Sequence, residues 1–217
     1  MLNWQEIDTV LLDMDGTLLD LHYDNQLWNH IVPQAYADHQ QISLPQAKQI
    51  MAQKYQDVAD SMHWYCYDFW TQTLELDIYQ LQHQVADKIN WRQDAQLFLK
   101  QLIKANKARH ILTNAHPEGV RLKNEYTGLV AFFDSCISTH EYGQPKEEQQ
   151  LWHKVQQRIG FDPARTLFID DNELILDAAK TFGIKHLIAI DLPDSQLGKK
   201  TFHRHQAISH FSEIMPQ

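Results

Sequence analysis

The feature that most constrains this chain is an apolar run that ends in acid. Thr9-Val10-Leu11-Leu12 is short, continuous and β-branched or aliphatic, the pattern of a strand buried on both faces, and Asp13-Met14-Asp15-Gly16-Thr17 follows it directly. Open α/β sheets carry their chemistry at the carboxyl ends of such strands. One of the two carboxylates can attack an electrophile while the other handles a proton, and a divalent cation can relieve their repulsion. That is phosphoryl transfer in outline. Asp-x-Asp-Gly also opens calcium loops, but these need a further oxygen ligand and a downstream Glu between two helices. Here a strand precedes, and Leu18-Leu19-Asp20-Leu21 supplies no Glu at that spacing.

From Asp24 to about Asn90 the periodicity is helical. Leu27, Trp28, Ile31 and Val32 share a face, with Pro33 a kink or break. Ser43 caps a helix with Pro45 in its first turn and Ala47, Ile50, Met51, Lys54 and Val58 on one side. Met62, Cys66, Phe69 and Trp70 mark a third helix, and Asp77 caps a fourth with Ile78, Leu81, Val85 and Ile89 as its stripe. After Trp91, helices alternate with buried strands. Leu97, Phe98, Leu102 and Ile103 lie on a helix that leads into a strand at 108–113; further strands are expected at 135–138, 166–170 and 185–190. Pro117 suits a helix start, and Gly128, Gly160 and Gly183 suit helix ends. The alternation implies a mostly parallel sheet with helices on both faces. Residues 192–217 are polar and histidine-rich, with no clear element.

A chain of 217 residues, 43% of them hydrophobic, can bury a large core, and a net charge of -9 argues against a surface for nucleic-acid polymers. Cys66 and Cys136 lack metal-type spacing or a disulfide framework, which favours a reducing compartment. No segment approaches the length of a membrane span, and Met1 to Glu6 has no basic region ahead of an apolar one. The expectation is a cytoplasmic protein, a monomer or small homo-oligomer, with no membrane partner. Of the thirteen histidines, His203 and His205 lie among Lys199, Lys200 and Arg204 and read as a solvated basic tail.

The carboxyl ends of the expected strands collect one set of groups. Asp13 and Asp15 follow the first, Thr113-Asn114 the second, and Asp170-Asp171-Asn172 the fourth; Gly143-Gln144-Pro145-Lys146-Glu147 places a lysine just before a helix. Taken singly, Thr113-Asn114 suits a turn and Asp170-Asp171-Asn172 a helix cap. Together and in this order they resemble the four motifs of the haloacid dehalogenase-like superfamily of hydrolases, and the resemblance spans essentially the whole chain. The runs Leu11 to Asp20, Leu112 to Pro117 and Thr166 to Asp171 are similar, more narrowly, to the bacterial GMP/IMP 5'-nucleotidase group.

The fold so implied is α/β: a Rossmann-like three-layer parallel-sheet core from residues 1–20 and 91–217, with an all-α helical cap inserted over 21–90. The resemblance also implies roles. Asp13 would be the nucleophile that forms an aspartyl phosphate, and Asp15 the acid/base, whose backbone carbonyl also holds the metal. A second Asp there favours phosphatase over dehalogenase, because an alkoxide leaving group needs a proton. Thr113, Asn114 and Lys146 would bind the phosphoryl group, and Asp171 with Asp170 would anchor Mg²⁺ beside Asp13 and Asp15. Two like charges about 4 Å apart repel by roughly 4 kcal/mol at an effective dielectric near 20, so a carboxylate needs such help to reach a phosphate dianion.

The implied substrate is a small phosphomonoester, a purine nucleoside 5'-monophosphate such as GMP or IMP. Sugar-phosphate mutase or phosphatase, phosphoglycolate phosphatase and an idle ligand-binding protein remain as alternatives. The aromatic run His63 to Trp70 bears on this choice. If Met62, Cys66, Phe69 and Trp70 face the helical core, then Trp64, Tyr67 and Asp68 share another side that could stack a purine and accept its ring N–H. The same rings equally suit ordinary packing.

Overall fold

The computed structural model describes residues 2–59 and 61–216. Met1, Asp60 and Gln217, which the expected domain ranges include, lie outside the described residues. Six parallel strands form one sheet in the order β3-β2-β1-β4-β5-β6: β1 Thr9–Leu12, β2 Ala108–Thr113, β3 Ser135–Ser138, β4 Thr166–Asp170, β5 His186–Ile190 and β6 Ala207–Ile208. The helices are α1 His22–Gln26, α2 Val32–Gln40, α3 Leu44–Asp57, α4 Met62–Tyr65, α5 Tyr67–Leu74, α6 Ile78–Leu81, α7 Ala95–Lys104, α8 Pro117–Thr127, α9 Gln149–Ile159 and α10 Glu173–Phe182. Among the described residues, no helix is long and apolar enough to cross a membrane.

All of β1 is buried, and its side chains alternate between two cores. Val10 and Leu12 pack with Ala95, Phe98, Leu99 and Leu102 of α7. Leu11 faces the other way, toward Leu151, Trp152 and Val155 of α9 and Ile175, Leu176 and Ala179 of α10. A fully buried leucine contributes roughly 1.5–3 kcal/mol. This is the three-layer α/β arrangement expected of the sequence. Register fixes the site, because Leu12 lies opposite both Ile111 and Ile169. The strand ends are therefore level at the carboxyl edge, and the Asp13 N–H donates to the Ile169 carbonyl at 3.0 Å.

The helices from His22 to Leu81 and the 3-10 segment Gln82–Lys88 gather around a third apolar cluster, which includes Leu27, Met51, Tyr67, Trp70 and Ile78. Ser43 and Gln46 form the capping box at the start of α3. Pro33 does not break the chain. A π-helical turn at Leu27–Ile31 absorbs it, with the Val32 N–H reaching back to the Leu27 carbonyl. Several apolar stripes are narrower than expected: Ile50, Leu97 and Ile103 are exposed.

The third helix of this region is two helices. At Cys66 the backbone is extended (φ -94°, ψ 114°), and the break is braced by the Trp70 indole N–H donating to the Trp64 carbonyl at 2.9 Å. Side chains before and after Cys66 therefore do not follow one helical period.

The histidine-rich segment is ordered against the core. It supplies β6 and the 3-10 turn Phe211–Ile214, and Phe211 stacks on Phe98 at 4.6 Å between ring centroids. Buried Arg92 holds it in place by donating to the carbonyls of Thr17 (2.9 Å), Leu192 (3.2 Å) and Ser209 (2.7 Å). His205 is no solvated tail residue, since its Nε2 lies 2.8 Å from Asp177 Oδ1.

Candidate active site

A cavity of about 350 Å³ opens between the carboxyl edge of the sheet and the helical region. Asp13, Asp15, Thr113, Asn114, Lys146, Asp170 and Asp171 all line it, so the structure brings together every core residue singled out from sequence.

Asp13 and Asp170 stand at the ends of adjacent strands, and Lys146 reaches between them from the turn before α9. Its ammonium lies 2.6 Å from Asp13 Oδ1 and 2.7 Å from Asp170 Oδ2 and is only 2% exposed. Burial alone would pull this ammonium down, but the two carboxylates outweigh burial and hold it above its ordinary range. Burial also raises Asp13 against the pull of Lys146, with Asp170, Asp171 and Asp15 adding to the rise. Asp170 is pushed up to about 6, again by burial first, with Lys146 opposing and Asp171 assisting. Lys146 rises because two carboxylates outweigh its burial, whereas Asp13 and Asp170 rise because burial outweighs Lys146.

Asp13, Asp170 and Asp171 each offer an oxygen within 4.8 Å of the others. An all-oxygen, carboxylate-rich donor set suits a hard divalent cation such as Mg²⁺. Gly16 makes this closeness possible. Its φ is +76°, and a Cβ there would meet the Asp171 carboxylate at 2.8 Å and Pro193 at 3.0 Å. The Asp171 oxygen Oδ2 also accepts a hydrogen bond from Lys200 at 2.7 Å.

Asn114 is a scaffold as well as a wall. Its Oδ1 accepts from the Lys146 backbone N–H and the Thr139 hydroxyl, both at 2.9 Å, and its Nδ2 donates to Glu147 at 3.1 Å, so its amide fixes the turn that carries Lys146. Thr113 Oγ1 accepts from the Ala115 N–H at 3.1 Å.

The aromatic wall departs from the one-face expectation. Trp64 and Tyr67 line the cavity, Trp64 being 38% exposed. Tyr67 is buried, stacks on His116 at 4.8 Å and packs its hydroxyl where Gly119 leaves room. Asp68 does not line the cavity, because the break at Cys66 turns it outward, where it accepts from the Tyr79 hydroxyl at 2.6 Å. Trp28, Tyr55, Tyr65 and Trp70 complete the wall.

Three charged groups of the cavity escaped the sequence reading: Asp24 on α1, Lys123 on α8 and Lys200 in the loop before β6. The one signal for Lys123 is its helical phase, since it shares the buried face of α8 with Gly119 and Leu122. Asp24 and Lys200 lie in polar stretches that carry no such mark.

The haloacid dehalogenase-like hydrolase family model matches residues 7–183. The GMP/IMP nucleotidase YrfG of Escherichia coli is 43% identical over 213 residues, covering 98% of this chain and 96% of that protein. The pyrophosphatase PpaX of Bacillus velezensis is 29% identical over 87 residues, 40% of each protein. Among solved structures, a HAD phosphatase from Thermococcus onnurineus superposes with a TM-score of 0.81 at 23% identity, covering 96% of both chains. Family match, near-full-length relative and fold agree with the motif geometry at the sheet edge: the chain belongs to the haloacid dehalogenase-like hydrolases.

Proposed function

We propose that this hydrolase is a Mg²⁺-dependent phosphomonoesterase that works through an aspartyl phosphate and acts on purine nucleoside 5'-monophosphates. The observation that carries the chemistry is the cluster of Asp13, Asp170 and Asp171 around the buried Lys146 ammonium. Asp13 attacks phosphorus, and the bond from phosphorus to the ester oxygen breaks as Asp15 gives that oxygen its proton. Asp15 then takes a proton from the water that attacks the aspartyl phosphate, which releases inorganic phosphate and restores Asp13. Thr113 and Lys146 bind the phosphoryl oxygens, with Asn114 holding Lys146 in reach. Mg²⁺, held by Asp13, Asp171, Asp170 and the Asp15 backbone carbonyl, would supply charge neutralisation between nucleophile and phosphate.

In this reading the helices over 21–90 are a cap on a core of residues 1–20 and 91–217, and cap closure excludes water from the reacting atoms. The nucleotide assignment rests on the 43%-identical GMP/IMP nucleotidase and is supported by the aromatic wall, where Trp64 lines the cavity and is part-exposed. Base stacking on such a ring is worth about 1–3 kcal/mol.

The test is phosphate release from GMP, IMP, AMP, phosphoglycolate, sugar phosphates and an aryl phosphate, with Mg²⁺ and with chelator. Asp13→Asn serves as the blank, since a neutral amide cannot attack phosphorus. The expected result is Mg²⁺-dependent release with GMP and IMP preferred. Preference for sugar phosphates or phosphoglycolate would keep the chemistry and discard the nucleotide; turnover by Asp13→Asn would discard the nucleophile.

A further inference from the structure

Lys123 is a buried ammonium to which the reaction above gives no task. It is 2% exposed, lies 5.0 Å from the Tyr23 ring centroid, and sits between two carboxylates from different parts of the chain. Asp24, on α1 of the helical region, accepts from it at both oxygens (2.7 and 3.0 Å). Asp15, in the turn after β1, has its Oδ1 2.7 Å from the same nitrogen. The ammonium therefore bridges Asp15 and Asp24 and pairs with both.

We propose that Lys123 is a positioning residue for Asp15, and that Asp24 makes this positioning depend on where the helical region sits. The proposal rests on the reading of Asp15 as the general acid. With α1 seated, Asp24 shares the ammonium at both of its oxygens, and Lys123 holds Asp15 in place without being held by it alone. With α1 displaced, Asp24 leaves, and the Lys123 donors turn to Asp15 and withdraw it from the leaving group. Proton delivery is thereby tied to cap seating through one lysine.

The electrostatics agree with this geometry. Burial lowers the Lys123 ammonium, but Asp15 and Asp24 outweigh burial and raise it, so it stays charged. Asp24 is pushed up to about 7 by burial first and by Asp15 second. Two carboxyl groups share one ammonium, so removing Asp24 changes how Lys123 holds Asp15.

The experiment compares two substrates that differ in their need for an acid: GMP, whose alkoxide leaving group requires a proton, and 4-nitrophenyl phosphate, whose phenolate leaves without one. Asp15→Asn is the reference for loss of the acid. Lys123→Met is expected to lower kcat/KM for GMP on the order of 10²-fold, the usual worth of a placed acid, but to change kcat/KM for the aryl phosphate by less than about threefold, because this quantity reports formation of the aspartyl phosphate and not the later water step that both substrates share. Asp24→Asn, which leaves the ammonium to Asp15 alone, is expected to show the same split at about tenfold, and Lys123→Arg to recover part of the GMP rate. Equal losses on both substrates would mark Lys123 as merely structural and overturn the proposal, as would unchanged rates. Should Lys123→Met not fold, Asp24→Asn and Lys123→Arg decide by the same criterion. Absence of a split in Asp15→Asn itself would instead locate the failure in the acid assignment.

Discussion

Alanine at position 16 is the smallest change that should disable the site. The added Cβ would lie 2.8 Å from both Cγ and Oδ2 of Asp171 and 3.0 Å from Pro193 Cβ, about 0.6 and 0.4 Å short of where ordinary contact begins. The backbone offers no relief, because φ at Gly16 is +76°, where an L-residue costs about 1–2 kcal/mol. Overpacking adds about 1–3 kcal/mol if nothing moves. The Asp171 carboxylate is the end of a side chain and yields more cheaply than Pro193, so the strain is expected to resolve by displacing Asp171. Stability should then fall by no more than a few kcal/mol, or roughly 2–4 °C in Tm for each kcal/mol. Function should suffer more, since a shift approaching 1 Å in a positioned group costs on the order of 10²-fold in rate. Calorimetric titration with Mg²⁺, alongside a melting curve and a phosphate-release assay, separates these effects. Wild-type Mg²⁺ affinity in a variant of lowered Tm would refute the reasoning, because it would show that Asp171 either stays in place or does not hold the cation.

Lys146→Met leaves the Asp13 and Asp170 carboxylates facing each other without their ammonium; the buried pair is lost at about 3–5 kcal/mol in chelator, read by urea unfolding, and phosphate release should vanish. Asp24 and Asp170, pushed up to about 7 and about 6, bind protons more tightly folded than unfolded, so their contribution to stability is present at acid pH and lost as pH rises through those values. In chelator, Tm of the wild type should therefore fall across that window relative to Asp24→Asn, and parallel curves would contradict the raised Asp24 assignment. Trp64→Ala should raise KM for GMP roughly 5- to 150-fold while sparing an aryl phosphate, the span expected from the loss of one stacking contact. Equal rises for both substrates would remove Trp64 from base recognition. Tyr67→Ala should lower Tm as well, because that ring is buried against His116 and Trp28.

The sheet was legible because its signals are local. Thr9–Leu12 and Thr166–Asp170 are apolar runs too short for helices, and their ends carry the carboxylates in the same few residues. Position along a strand thus fixes position at the site. The aromatic run failed at Cys66 because a helix break there is set by tertiary contacts, with Trp70 bonding the Trp64 carbonyl, and not by any Gly or Pro that sequence displays. β6 is two residues long and borrows its stability from Arg92 and from the Phe211 stack on Phe98, partners more than a hundred residues distant. Lys123 and Asp24 are ninety-nine residues apart, and each stands in a polar segment that would be solvated on its own. Charges become a site only when packing removes the water between them.

Charge balance is the property that the assembled cavity adds. Its wall holds five carboxylates (Asp13, Asp15, Asp24, Asp170 and Asp171) against three ammonium groups (Lys123, Lys146 and Lys200), which leaves two negative charges uncompensated. His116 adds no charge near neutrality, since burial lowers its pKa against the pull of Asp68. Burial is the first cause of the upward shifts of Asp13, Asp24 and Asp170, and the excess of neighbouring carboxylates adds to them. One divalent cation would cancel that excess. Cation binding should then expel protons that burial and the excess had retained. Near pH 6, the value to which Asp170 is pushed, Mg²⁺ titrations in buffers of different ionisation enthalpy should reveal proton release, and the release should shrink as pH rises past the raised carboxylates Asp13, Asp24 and Asp170. Binding enthalpies independent of buffer near pH 6 would mean that the carboxylates are already ionised and that the ammonium groups compensate them more fully than five against three allows.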